Sequence, residues 1–146
     1  MNTCTIKKED IDSPGKPGFE FSAGGIAVKN NKVLVIKTGK YSPRTVYTFP
    51  KGKLKVFETL GQGARREVRE ETGYSCTIKR SLLSAGYLFI RSGKLIIKKV
   101  FWFEMEPVEK GEKSATDSYP SAWIDKDKLT CKLHFKSDKY LARKAF

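Results

Sequence analysis

The sequence predicts an α/β domain in which strands outnumber helices. Three observations predict it. Apolar and β-branched runs of strand length alternate with turn residues along most of the chain, one amphipathic segment in the middle carries both a start and a stop signal for a helix, and a second helical pattern closes the C-terminus. No stretch repeats another, so a solenoid or propeller is excluded. A chain of 146 residues fits one domain, since domains commonly run to about 100–200 residues.

The elements follow in order. Residues 1–18 contain Ser13-Pro14-Gly15-Lys16-Pro17-Gly18 and are expected to be a flexible arm ahead of a domain at 19–146. Phe19 to Val28 and Lys32 to Lys37 are β-rich and meet at Asn30-Asn31, a hairpin turn because asparagine tolerates positive φ. A polar loop with Gly39 and Pro43 leads to a short strand, Thr45 to Phe49, stopped by Pro50, and a glycine and lysine loop follows. Thr59 to Thr72 is the clearest helix. Thr59 and Gln62 fit a capping box, Gly73 sits where a helix stops, and Leu60, Ala64 and Val68 mark the stripe expected to be buried. Gly61 and Gly63 each cost about 1 kcal/mol relative to alanine, so this helix must lean on tertiary packing. Cys76 to Ile90 and Lys94 to Glu106 form two longer strands turning at Arg91-Ser92-Gly93, and Glu109 to Tyr119 is a polar loop. Ser121 to Ile124 is a last short strand. Ser137 to Phe146 is a closing helix with Tyr140, Leu141, Lys144 and Ala145 on one side.

Composition removes whole classes of function. The longest apolar runs, Leu95 to Ile97 and Val100 to Phe103, fall far short of the roughly 18 residues of a spanning helix, and Met1 to Asp10 lacks the apolar stretch of a secretory signal. The expectation is therefore a cytoplasmic protein with no membrane partner. Cys4, Cys76 and Cys131 are odd in number and widely spaced, so no disulfide framework or zinc pattern can be drawn. With His134 the only histidine, a metal here would be held by oxygen, and no histidine-activated nucleophile is indicated. A net charge of +13 points to polyanionic partners such as nucleotides, inositol phosphates, RNA or an anionic membrane surface, although charge alone fits a merely lysine-rich protein equally well.

The chemistry gathers between Gly52 and Tyr74. Glu67, Glu70 and Glu71 lie at i, i+3 and i+4 of the predicted helix and share a face. Such crowded carboxylates destabilise a helix unless a positive charge sits among them, and a hard divalent cation such as Mg2+ selects carboxylate oxygens. Arg66 is four residues before Glu70, and Glu58, just outside the helix, can fold back to hold its guanidinium. An E-x-x-E-E run alone is more often a solvated charged face; the full spacing changes that.

Gly52, Glu58, Arg66-Glu67-Val68, Glu70-Glu71, Gly73 and Tyr74 stand in the pattern G-x5-E-x7-R-E-U-x-E-E-x-G-U, which resembles the Nudix hydrolase signature. Tyr74 replaces the usual aliphatic, and Phe57 stands where many members have glycine. The resemblance implies a Nudix α/β/α sandwich with a mixed β-sheet. It further implies Mg2+ or Mn2+ held by Glu67, Glu70 and Glu71 with the carbonyl of Gly52, Glu58 and Arg66 keeping loop and helix in register, and hydrolysis of a phosphoanhydride in X-diphosphate compounds. The base is left open between a helix glutamate and Asp117, six residues before Trp123, where related diadenosine polyphosphate hydrolases carry a glutamate. For a lone aspartate in a solvent loop, a role in solvation alone is at least as good a reading.

Phe49-Pro50-Lys51-Gly52-Lys53 resembles a segment of Nudix subgroups acting on dinucleoside polyphosphates and diphosphoinositol polyphosphates, and Leu133 to Leu141 resembles the C-terminal helix region of bacterial diadenosine polyphosphate hydrolases. Dinucleoside polyphosphates are thus the first substrate expectation. An RNA 5'-end pyrophosphohydrolase and a diphosphoinositol polyphosphate phosphohydrolase are the alternatives, and a catalytically silent nucleotide-binding module is the alternative of another class. Lys51, Lys53, Arg44 and Lys99, with Lys98, are candidate phosphate contacts. Tyr87 leads Tyr41, Tyr47 and Phe135 as a base platform, and Phe101, Phe103 and Trp123 are expected to be packing residues.

Overall fold

A computed structural model of the chain describes residues 18–40, 42–112 and 118–146. Residues 1–17 of the expected arm, Tyr41 and Asp117 lie outside the described residues; Gly18, expected in the arm, instead begins the first strand, where it pairs with Ile96.

The strands are β1 (Gly18–Lys29), β2 (Lys32–Thr38), β3 (Val46–Thr48), β4 (Lys51–Lys53), β5 (Tyr74–Arg91), β6 (Lys94–Lys110) and β7 (Ser121–Asp125). They build one mixed sheet of order β3-β2-β1-β6-β5, with β4 beside β1 and β7 beside β2. β1 runs parallel to β6, with Gly18 opposite Ile96 and Ala27 opposite Met105, and the other strand pairings are antiparallel. Asn30 and Asn31, with φ of 51° and 62°, make the β1–β2 turn, and Ser92 and Gly93, at 51° and 75°, make the β5–β6 turn. Register shifts in β5 at Ser75/Cys76, Ile78/Arg80 and Ser81/Ser84 mark bulges along this strand.

Helices cover both faces. α1 (Leu60–Thr72) puts Ala64 and Val68 against Ala23, Ala27, Phe103 and Met105. On the opposite face α2 (Leu129–Lys132) and α3 (Lys136–Ala145) bring Leu129, Leu133, Leu141 and Ala142 against Ile26, Val33, Val100 and Trp102. Ile26 and Ala27, adjacent in sequence, belong to different cores because successive strand side chains point to opposite faces. This is the α/β/α sandwich with a mixed sheet.

Several details differ from the sequence reading. β4 was expected as loop; it forms because its backbone pairs with Ser22, Ala23 and Gly24 of β1, a tertiary contact with no signature in Lys-Gly-Lys. β6 extends to Lys110, claiming the start of the expected polar loop. α2 and the 3-10 turn before it, Lys126–Lys128, carried no periodic signal at their length. α3 buries Asp138, Leu141, Ala142 and Ala145, whereas Tyr140 is half exposed. Among the expected packing aromatics, Phe103 is buried, Phe101 lies in the partly buried fringe beside α1, and Trp123 meets Tyr74 edge-on, donating from Nε1 to its hydroxyl at 3.2 Å.

Candidate active site

The site starts from the ends of α1. Thr59 caps the helix: its hydroxyl accepts from the Gln62 amide at 3.1 Å while the Gln62 side chain accepts from the Thr59 amide at 3.0 Å. Gly73 closes it in the left-handed conformation at φ 84°, donating to Arg69 O. Between these ends α1 turns one stripe, Ala64 and Val68, into the core and carries Glu67, Glu70 and Glu71 towards β4.

Arg66 organises that face. Its Nε and Nη2 donate to Glu58 Oε2 and Oε1 at 2.7 and 2.9 Å, a two-pronged bond across eight positions. Nη1 donates to Glu67 Oε1 at 2.7 Å and Glu70 Oε2 at 3.1 Å, and Nη2 also reaches the carbonyl of Lys53 at 3.0 Å. The guanidinium thereby joins the loop before α1, the helix face and β4. The same pairing holds the Glu58 carboxyl below the usual range and raises the pKa of Arg66.

β4 meets the helix through its backbone. Gly52 has no side chain because Glu67 occupies the space: a Cβ there would stand 2.2 Å from the Glu67 carboxylate. One residue earlier the Lys51 amide donates to Glu71 Oε2 at 3.2 Å. Burial, followed by the negative charge of Glu67, pushes the Glu71 carboxyl up to about 8. Lys51 is partly buried, and its desolvation lowers its pKa, with Lys98 adding like-charge repulsion; Asp138 and Glu71 act the other way. Asp138, buried in the first turn of α3, accepts from Thr48 Oγ1 at 2.5 Å and ties the C-terminal helix to the strand that leads into β4.

These groups border a cleft of about 630 Å³. α1 supplies Arg66, Glu67, Glu70 and Glu71, and β4 supplies Lys51, Gly52 and Lys53. The lining is continued by Glu20 and Ser22 of β1, Arg91 and Lys98 of the β5–β6 hairpin, and Lys40. Tyr119 lines the remaining side, its amide donating to Glu71 O at 3.0 Å.

The residues read from the sequence fall into three groups. Gly52, Arg66, Glu67, Glu70, Glu71, Lys51 and Lys53 line this cleft, and Glu58 stands behind it holding Arg66. Tyr87 pairs with Lys98 across the β5–β6 ladder, which puts it on the cleft face of the sheet, two-fifths exposed and beyond the lining. Lys99 is on the other face with its ammonium 5.2 Å from the Phe101 ring, so Lys98 and not its neighbour lines the cleft. Arg44 is exposed in the loop before β3, away from the lining. Asp117 lies outside the described residues. Sequence reasoning missed Glu20, Lys40, Arg91 and Tyr119: Glu20 and Arg91 are placed by strand register, and Lys40 and Tyr119 by the loops that follow β2 and precede β7.

The donor set suits a hard divalent cation in its chemistry: oxygen only, two buried carboxylates one helical turn apart, and a glycine whose missing side chain leaves room for one of them. Among the described residues no three acidic side chains converge into a closed cation cage, and Arg66 draws Glu67 and Glu70 to itself. A cation here would share the helix face with that arginine.

Sandwich, glutamate helix and cleft together define a Nudix domain, and the family model described as NUDIX domain matches residues 19–144. The chain belongs to the Nudix family. Among curated proteins it is similar to Nudix hydrolase 2 of Arabidopsis thaliana, 37% identical over 71 residues that make up 47% of this chain and 26% of that protein. It is also similar to MutT4 of Mycobacterium tuberculosis, 32% identical over 104 residues, 70% of this chain and 42% of that one. The chain thus spans less than half the length of these relatives. Among solved structures, a NUDIX hydrolase from Nitrosomonas europaea superposes with a TM-score of 0.72 at 20% identity, over 89% of this chain and 88% of that one. A UDP-X diphosphatase superposes at 0.61 and 17% identity, over 90% and 64%. At these identities the two structures share the fold.

Proposed function

We propose that the protein is a phosphoanhydride hydrolase that acts, with Mg2+ or Mn2+, on nucleoside diphosphate-linked substrates, dinucleoside polyphosphates first among them. The observation that carries this reading is the Glu58–Arg66 fork, which aligns Glu67 and Glu70, beside Glu71, along a cleft otherwise rich in lysine. Family membership supports it, since Nudix proteins use divalent metals to cleave such anhydrides.

In this reading Glu67, Glu70 and Glu71 hold the metal. When bound, it supplies charge neutralisation on the phosphate oxygens and activation of the attacking water. The chain's own groups do the rest. Lys51 and Lys53 bind the phosphates as compact charges, and the partly buried Lys51 answers negative charge that develops as the bridging oxygen leaves. Arg66 fixes Glu67 and Glu70 in direction, and the Lys51 amide holds Glu71. The proton of the attacking water goes to a carboxylate, for which Glu70, at the rim, and Glu71, with its raised pKa, are candidates in the structure and Asp117 from the sequence alone. No covalent intermediate is required. Alternative substrates are RNA 5' ends and diphosphoinositol polyphosphates, to which the cationic walls are also suited.

The test is product release with Mg2+ and then Mn2+ across diadenosine polyphosphates, nucleoside triphosphates including 8-oxo-dGTP, diphosphoinositol phosphates and triphosphorylated RNA. Preference for a diadenosine compound supports the reading; preference for RNA or inositol phosphates keeps the chemistry and replaces the substrate. Glu70→Gln should lower kcat by about two orders of magnitude or more, in the range associated with losing a positioned catalytic group, while leaving the melting temperature nearly unchanged. Turnover near wild type in that variant would remove Glu70 from the metal site.

A further inference from the structure

The geometry points to a second anion subsite at the end of the cleft away from Glu71, formed by Lys53, Arg91 and Lys98 around Glu20, which selects substrates with longer polyphosphate chains. It rests on the reading of the α1 carboxylates as the hydrolytic centre.

Strand register sets the location. Along β1, Gly24 lies beside Lys51 and Ser22 beside Lys53, so Glu20 is two residues further on, past the end of β4 and past Lys53 as seen from Glu71. Glu20 is opposite Lys98 in the parallel β1–β6 ladder, and both line the cleft. Arg91 arrives from the tip of the β5–β6 hairpin and places Nη1 on Glu20 Oε1. Lys53 Nζ approaches that same oxygen at 3.3 Å.

The arrangement is mismatched as a self-contained ion pair. Two cations share one oxygen while Glu20 Oε2 is buried with no hydrogen-bond partner among the described residues. Lys98 has like charges from Lys53, Arg91 and Lys40 around it and Glu20 as its opposite charge. Lys53 and Arg91 are more than half exposed, so water meets the donors that Glu20 leaves over, and a phosphate with its several acceptor oxygens can take the place of that water. Tyr87, opposite Lys98 on the same face, lies beyond the lining, so the wall of the cleft at this end is made by the charged groups and Ser22. Glu20 therefore holds Lys53 and Arg91 in the free protein and competes with the incoming anion, which makes it the residue that sets how much negative charge this end accepts.

The experiment compares KM for a nucleoside triphosphate and for diadenosine tri-, tetra- and pentaphosphate in the full chain and in Arg91→Gln, Lys98→Met and Glu20→Gln, each checked for folding by thermal melting. In the wild type KM should fall as phosphates are added. Arg91→Gln and Lys98→Met should raise KM for the pentaphosphate about tenfold and for the nucleoside triphosphate by less than about threefold, and Glu20→Gln should lower it for the pentaphosphate. Equal changes along the whole series, or a rise for every substrate in Glu20→Gln, would overturn the subsite. If the wild type cleaves none of them, the hydrolytic reading fails. The subsite is then decided by calorimetry with inorganic tripolyphosphate, where affinity about tenfold weaker in Arg91→Gln supports it and equal affinity rejects it.

Discussion

Phe57 occupies the left-handed region at φ 65°, with its ring almost fully exposed, so the side chain contributes little packing while its Cβ strains the backbone. Phe57→Gly should remove that strain and stabilise the fold by about 1 kcal/mol, less the entropy glycine adds to the unfolded chain. Urea unfolding reads this directly, and a destabilised variant would show that the ring makes a contact worth more than the strain. Glu71 supplies the second expectation at this scale. Its carboxyl titrates near 4.5 when unfolded and near 8 in the fold, so the native state binds the extra proton between those values. Its contribution to stability is complete below about pH 4.5 and lost as pH rises towards 8. Metal-free protein should therefore lose stability across that window and Glu71→Gln should flatten the slope; an unchanged slope would place the titrating group elsewhere. The depressed Glu58 acts oppositely, losing its contribution as pH falls through its own low pKa, so the two windows do not overlap. Residue identities within the helix motif were legible because spacing along a helix decides which carboxylates share a face. Lys98 and Lys99 were not separable, since which of two neighbours faces the cleft is set by strand register.

Among the elements, α1 was the most legible, because capping and termination are local chemistry written within a few residues of each end. Thr59 accepts from Gln62 and Gln62 returns the bond, so Thr59→Ala should cost about 1 kcal/mol. Thr59→Ser, which keeps the acceptor, should recover most of it, and denaturant midpoints of the two variants check the pair. Equal loss in both would mean that the methyl group, not the hydroxyl, matters. β4 stands at the other extreme. Lys51, Gly52 and Lys53 carry no strand propensity, and their conformation comes from pairing with Ser22 to Gly24 and from the Glu67 carboxylate resting against Gly52. α3 was found by its period but with its stripe turned, because the expectation followed the large aromatic Tyr140. The packed side instead uses Leu141 and Ala142 and buries Asp138 beside Thr48. A buried carboxylate with a partner 90 positions away cannot be anticipated from the helix alone.

For the whole molecule the central quantity is the charge of +13 and where it sits. Charge spread evenly over a surface attracts any polyanion and is screened within about 10 Å at 0.1 M salt, whereas cations within a cleft act together on one ligand. The fold concentrates Lys40, Lys51, Lys53, Arg91 and Lys98 along the cleft, although they come from four separate regions of the chain. Each phosphate neutralised by such a cation releases bound counterions, so log KM should rise with log salt, with a slope that reflects the contacts made. For a dinucleoside polyphosphate the slope should be shallow, because few phosphates are engaged; for triphosphorylated RNA it should be steep, because the strand continues over the outer surface. Lys98→Met should reduce the slope for the dinucleotide. Neutralising Lys132 and Lys136, which are exposed on α2 and α3 away from the lining, should leave that slope in place. If the outer lysines lower it as much as Lys98 does, the surface charge as a whole draws the substrate in, and the cleft loses its claim to have sorted the charge for a short polyphosphate.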